Sequence, residues 1–363
     1  MSDLLFCSFY YRSNLKTGAN KRFENIISSA VEYLSEDQKI IVFVKKGNKS
    51  QYFLNDKIMV YEIPNFPILD RLLTFILFSI KLSSFNPLLV VSDFMPIPIS
   101  ALSKHIHFQL IHDIRNFTKF KRANYFSFAK IFQKRQWEKC QKIITVSNFS
   151  KNEIVKTCNV NPENVFVSPN GINSTYFKNQ SDVKPDIDIL YVATFERRKN
   201  HQFLLKALEY CNKQKPIKVC LLGKNLGNRE EMMVLAKKLN NVEIDFVDNI
   251  NSEKELIEFY DRSNLFISPS LYEGFGMPII EAISRGCKVL CTDMEVFREV
   301  GGDNALYFSP DDHLELSNLI SDNLENKNRN TIDTEFLELY KWSNISKDLI
   351  DFFKNIHHVK KKY

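Results

Sequence analysis

Short aliphatic runs alternate with amphipathic stretches along almost the whole chain, in two separate series. The first passes through 4–9, 39–44, 88–92, 108–112, 143–146 and 165–168, with a helical pattern at 21–34. The second passes through 188–193, 217–222, 242–246, 265–268 and 288–291, with helical spacing at 202–213, 229–239, 253–262 and 278–285. Runs this short and this continuously apolar are strands buried on both faces, and strands separated by helices pair in parallel. A polar stretch, KNQSDVKPD from Lys178, separates the series and predicts a hinge between about 175 and 185. The expected fold is α/β, two doubly wound lobes facing a central cleft. The lobes are expected at 1–178 and 179–340, with a last helix at 341–363 that could pack back on the first lobe. In such sheets ligands bind at the carboxyl ends of the strands.

Length and composition restrict the function. The 363 residues suit two domains, and 44% hydrophobic with 25% charged residues is ordinary for a soluble globular protein. A net charge of +6 allows attraction to a nucleotide or an anionic lipid, but no basic stripe interleaved with aromatics points to nucleic acid. Seven cysteines without a C-x-x-C fit reduced, mostly buried thiols in a cytosolic protein. The start, MSDLLFCSFYYRS, does not read as a signal peptide, and the apolar run 72–80 is too short to span a bilayer. A cytoplasmic protein is expected, with membrane contact only at its surface. The stretch FTKFKRANYFSFAKIFQKRQWEKCQK from Phe117 has two readings: a basic, aromatic face against anionic lipid, or an ordinary helix with its cations in water.

The stretch richest in chemistry is SPSLYEGFGMPIIE, Ser268 to Glu281. A buried strand runs into a glycine turn that opens a helix, with Pro278 near its first position. Gly274 and Gly276 let the backbone take positive φ and approach a ligand closely. Free amides at the helix start favour an anion such as phosphate. Glu273 and Glu281 flank the turn, and a carboxylate there can accept hydrogen bonds from a diol such as ribose. The plainer alternative is a tight turn with Glu281 complementing the helix dipole.

Other strand ends carry candidates. Arg197, Arg198 and Lys199 follow the first strand of the second series, where two forks and a point charge could clamp a pyrophosphate. His112 ends a strand of the first series and could bind a sugar hydroxyl or stabilise charge. His107 lies at odd spacing from it, so the two point to opposite faces, and a His-based metal site is rejected. Asp186-Ile-Asp188 has the form of a D-x-D metal motif but precedes its strand, at the wrong end of the sheet. The chain lacks a G-x-G-x-x-G after either opening strand, a phosphate-binding Walker motif and a G-x-S-x-G.

Together these stretches resemble the signature of retaining family 4 glycosyltransferases of the GT-B fold. The resemblance rests on FISPSLYEGFGMPIIEAISRGCKVL from Phe266, YVATFERRKN from Tyr191, LLGK from Leu221, VSNFSKNEI from Val146, SPNGI from Ser168 and KWSNIS from Lys341, and more loosely on LIHD from Leu110. It implies two Rossmann-like lobes and a nucleotide-sugar donor held mainly by the second. By position, Arg198 and Lys199 would bind the diphosphate and Glu281 the ribose. Glu273 would contact the donor sugar, with the backbone of Gly274, Phe275 and Gly276 nearby. His112 would sit against that sugar, and Gly18 would lie in a first-lobe loop that closes on the phosphates. The base would lie near Gly223 and 246–248. Glu273, His112 and Lys199 are thereby the candidate catalytic residues. The resemblance further implies retention, no bound metal and no cofactor beyond the donor substrate. The acceptor would be a saccharide, free or lipid-linked, in the assembly of a surface polysaccharide such as lipopolysaccharide, on the cytoplasmic side of the membrane. The chain departs from the family pattern in having only one glycine in the first-lobe loop, Ala193 where glycine is common and Arg197 where proline is common. A nucleotide-sugar epimerase, which also has two such lobes, and a non-catalytic nucleotide-sugar binder are the alternatives.

Overall fold

Continuous aliphatic runs can be buried only if both faces of their sheet are covered, and both sheets are built that way. The structure, a computed structural model, describes residues 3–15, 17–87, 89–93, 105–120, 127–139, 142–177, 184–211, 215–248, 250, 252–326 and 329–360. The chain divides into two compact units: unit 1 is 1–117, 121–171 and 339–363, and unit 2 is 118–120 and 172–338. The division falls between Gly171 and Ile172, ahead of the expected hinge, part of which lies outside the described residues.

Unit 1 holds seven parallel strands: β1 (Leu4–Cys7), β2 (Ile40–Lys45), β3 (Ile58–Ile63), β4 (Leu89–Asp93), β5 (Ile106–Ile111), β6 (Lys142–Thr145) and β7 (Val165–Val167), in the order β3-β2-β1-β4-β5-β6-β7. Successive residues feed opposite cores. Leu4, Phe6, Ile40 and Val42 pack with the helices Gly18–Ala30 and Trp342–Lys360. Leu5, Cys7, Ile41 and Phe43 pack with the helix Asp70–Phe85. The C-terminal helix thus completes the core of unit 1. Its return leaves no room at Gly171, where a Cβ would meet Tyr340 O at 2.7 Å and the Trp342 ring at 2.8 Å.

Unit 2 holds β8 (Ile187–Val192), β9 (Ile217–Leu222), β10 (Val242–Val247), β11 (Ser263–Ser268), β12 (Lys288–Thr292) and β13 (Ala305–Phe308), all parallel, in the order β10-β9-β8-β11-β12-β13. Each sheet winds outward from its first strand and reverses beside it, between β1 and β4 and between β8 and β11. Those reversal points are where doubly wound sheets open a crevice at their carboxyl ends.

Two strands without an apolar run in the sequence reading, β3 and β13, are both edge strands. Both carry exposed residues, such as Met59 and Leu306, among their apolar ones; the other two edge strands, β7 and β10, fall on runs the sequence did show. The helix expected from 21 begins at Gly18, because Thr17 caps it by accepting the Asn20 amide at 3.3 Å. Gly18 is therefore the exposed first residue of a helix and not part of the preceding loop. The described cysteines are free thiols, and all but Cys211 are buried.

Candidate active site

At the reversal point of unit 2 the segments leaving β8 and β11 lie side by side. The β8 segment forms a single 3₁₀ turn, Arg197–Lys199, closed by Asn200 in the left-handed conformation. Backbone bonds fix it: Leu271 N donates to Arg198 O at 2.8 Å, and the buried Tyr191 hydroxyl donates to Lys199 O at 2.7 Å. Beneath it His201 stacks on Phe195, ring centres 4.4 Å apart, and burial holds its pKa down at about 3. The imidazole is therefore neutral and adds no charge beside Lys199.

This frame sets two cations around one carboxylate. Arg198 Nη1 donates to Glu273 Oε2 at 3.0 Å and to Tyr272 O at 2.9 Å, and its Nη2 reaches Glu196 Oε1 at 2.7 Å. Lys199 Nζ donates to Glu273 Oε1. These side chains are 12–14% exposed, so the charges are poorly screened. Burial pushes the Glu273 pKa up, but Lys199 and Arg198 overcome that and hold it at about 2. Burial pulls Lys199 below its ordinary value, against the opposing effect of Glu273. Burial also disfavours the Arg198 charge, yet Glu273 and Glu196 raise its pKa overall. Arg197 is exposed.

The glycine turn then opens the helix Met277–Ser284, with Pro278 in its first two positions. Gly276 caps it at φ 104°, and a Cβ there would meet Phe297 at 2.9 Å, so both conformation and space demand glycine. Gly274, expected to share the positive φ, does not adopt it. The Phe275 side chain is buried. Glu281 lies deeper than a mouth residue would: it is 3% exposed and accepts the Tyr260 hydroxyl at 2.8 Å. The end of this helix is anchored by Arg285, which forms a two-pronged buried pair with Asp261 at 2.7 and 2.9 Å.

Gly223, after β9, stands against the β8 segment. A Cβ would fall 1.9 Å from Ala193 O, so only glycine lets the two strand ends approach. Beyond it Arg229 donates to Phe246 O at 2.9 Å, pairs with Asp248, and lies over the rings of Phe195 and Phe246. Arg229 was not among the sequence candidates; its one signal is a cation opening a helix after a strand end.

In unit 1, His112 follows β5, and its Nε2 lies 3.4 Å from Oδ1 of Asp93, the last residue of β4. Ser8, just past β1, donates to Asp93 Oδ2 at 3.4 Å. Asp93 also faces a cavity, with room for about one water, lined by Arg22, Cys7, Phe6 and Leu110. Arg22 is 2% exposed and bonds Ser168 Oγ at 2.8 Å and Pro169 O at 2.5 Å. Asp93 and Ser8 could have been found by the same strand-end rule that singled out His112.

Other sequence candidates take structural roles. Asp186 forms a two-pronged pair with Arg262 at 2.8 Å, and Asp188 accepts the Lys218 amide at 3.0 Å. His105 bonds Pro87 O at 2.5 Å, and His107 bonds Ser92 Oγ at 2.6 Å. Among the described residues, no three His, Cys, Asp or Glu side chains are grouped as a metal site would require. Part of the basic stretch from Phe117, including Lys121 and Arg122, lies outside the described residues.

Two units, each wound outward from its first strand, with a cation pair and a glycine turn at the second reversal point, define the GT-B class of fold. The sucrose-phosphate synthase of Thermosynechococcus elongatus shares it: the match covers 99% of this chain and 100% of that one, with a TM-score of 0.77 at 16% identity. The chain belongs to the family 4 type of glycosyltransferases, since the family models "Glycosyltransferase Family 4" and "Glycosyl transferases group 1" match residues 33–176 and 173–334. The O-antigen chain mannosyltransferase RfbU of Salmonella typhimurium is 30% identical over 210 residues, 56% of each chain. O-antigen chain mannosyltransferase B of Escherichia coli is 26% identical over 229 residues, 58% of this chain and 60% of that one. The match therefore spans somewhat over half the length of these relatives.

Proposed function

We propose that the protein transfers a hexose from a nucleotide diphosphate sugar to a saccharide acceptor during surface polysaccharide assembly. The carrying observation is the Arg198–Glu273–Lys199 cluster, held by backbone bonds at the carboxyl ends of the two central strands. Two cations placed in advance are suited to a diphosphate, whose negative charge grows as the bond from the anomeric carbon to phosphate breaks. Arg198 offers a fork and Lys199 a point charge. In this reading they stand where a metal ion could otherwise serve, and no metal is required. Glu273 keeps them aligned between turnovers and contacts the transferred sugar, with the 274–276 backbone beside it. Glu281, oriented by Tyr260, accepts from the ribose hydroxyls. The base lies by Gly223 and the Arg229–Phe246 pair. By the resemblance His112 would sit against the transferred sugar, where it could bind a hydroxyl. The acceptor oxygen attacks the face the diphosphate leaves and surrenders its proton to the departing phosphate, so configuration is retained.

The names of the relatives make mannose the first sugar to test and an O-antigen-type saccharide chain the first acceptor class. A thermal-shift screen of nucleotide sugars, followed by NMR of the product's anomeric linkage, tests the proposal. An α-linked product from an α-linked donor is expected. An inverted linkage would refute retention, and new sugar isomers from donor alone would make the protein an epimerase.

A further inference from the structure

Glu281 sits where three elements of unit 2 meet. The helix Glu253–Asp261 supplies Tyr260, whose hydroxyl donates to Glu281 at 2.8 Å. The helix Met277–Ser284 carries Glu281 itself, and the Arg285–Asp261 pair staples its end to the other helix. The third element is a short 3₁₀ turn, Ser174–Phe177, just past the start of this part of the unit at Ile172. It is fastened to both helices. Asn173 and Thr175 donate to Glu253 at 2.7 and 3.2 Å, and Arg285 donates to Tyr176 O at 3.0 Å.

The turn buries a hydroxyl that nothing around it answers. Tyr176 is 1% exposed, its ring centre lies 6.5 Å from that of Tyr260, and its hydroxyl has no hydrogen-bond partner among the described residues. Burial, and after it the neighbouring Glu281 carboxylate, push the pKa of this hydroxyl well up. A buried hydroxyl without an acceptor destabilises a fold, and phenylalanine would fill the same space without that penalty. The hydroxyl therefore needs a use in another state of the site. A carboxylate has lone pairs for about four hydrogen bonds, enough for two ribose hydroxyls and two tyrosines.

We propose that Tyr176 is a positioning residue for the donor's ribose: as Glu281 takes up the ribose hydroxyls, the Tyr176 hydroxyl donates to its carboxylate and, with Tyr260, fixes it in place. The proposal rests on the reading of Glu281 as the ribose acceptor. The test is calorimetric titration of the full-length protein with GDP and 2′-deoxy-GDP, and with UDP and 2′-deoxy-UDP. Wild type is expected to bind one ribonucleotide about tenfold or more tightly than its deoxy form, the worth of a hydrogen bond to a charged group. Tyr176→Phe is expected to narrow that ratio to about threefold or less by weakening the ribonucleotide alone. The melting temperature of the free variant should stay level or rise, because the hydroxyl it loses had no partner. Glu281→Gln should narrow the ratio at least as far. If wild type shows no such preference, or Glu281→Gln keeps it, the ribose reading fails and the proposal with it. If Glu281→Gln narrows the ratio and Tyr176→Phe leaves it intact, the role of Tyr176 alone is overturned. A Tyr176→Phe variant that melts lower and binds both forms equally weakly makes the residue merely structural, and overturns that role too.

Discussion

The two reversal points share a topology and differ in chemistry. In unit 2, Arg198 and Lys199 surround Glu273 at hydrogen-bonding distance, locked by backbone bonds on both sides. In unit 1, one carboxylate, Asp93, faces one imidazole and one hydroxyl, each at 3.4 Å. Dense opposed charge in a half-buried place is costly to desolvate, and a fold tolerates it when every member is satisfied. Such density suits a site that must hold a multiply charged ligand. The sparser pair in unit 1 suits orientation of a single side chain.

If that contrast is right, charge removal in unit 2 is the more damaging. Lys199→Ala should lower kcat by about 10²–10³, the usual cost of one electrostatic stabiliser, measured by transfer to a soluble acceptor. Retention of full activity would remove Lys199 from the site. Gly276→Ala forces a Cβ into the left-handed region and against Phe297, and should cost about 1–3 kcal/mol in urea unfolding. A neutral outcome would mean that the turn can relax. Arg198→Lys keeps the charge but loses the fork that spans Glu273, Glu196 and Tyr272 O, and a drop of about tenfold in kcat/KM is expected. Asp93→Asn keeps shape and should cost less, about tenfold at most in kcat, with the donor KM unchanged. A loss as large as that of Lys199→Ala would erase the distinction between the two points.

Acid sharpens the same comparison. The Glu273 pKa is lowered from 4.5 to about 2 in the fold. Its contribution to stability is complete above about 4.5 and is lost as pH falls towards 2. His201, neutral in the fold down to about 3, removes further stability as pH falls below 6.5. Urea midpoints of Glu273→Gln should therefore be lower than wild type at neutral pH, yet fall less than wild type between pH 4.5 and 2. Parallel curves would show that the pair contributes nothing to folding.

Local signals carried much of the design. The central strands of both sheets were legible because burial on both faces demands unbroken aliphatic runs; of the four edge strands, β7 and β10 were read and β3 and β13 were not. Glu273, Glu281, Arg198 and Lys199 stood out as charges beside strand ends and glycine turns. Gly18 misled, because a lone glycine in a polar segment reads as a loop until the Thr17 cap is seen. Asp93 was overlooked although it ends a strand, since nothing local ties it to a histidine nineteen positions later.

From the sequence alone came the alternation, the two series, the glycine turn between two carboxylates and the basic loop. Each of these is written within a few neighbouring residues, where propensity and periodicity act. Only the tertiary structure decided that β8 lies beside β11, and hence that Lys199 meets a carboxylate 74 positions away. It likewise decided that the last helix closes the core of unit 1. Strand order and helix return are set by which buried faces can be covered at once, a condition on the whole chain that no short stretch expresses.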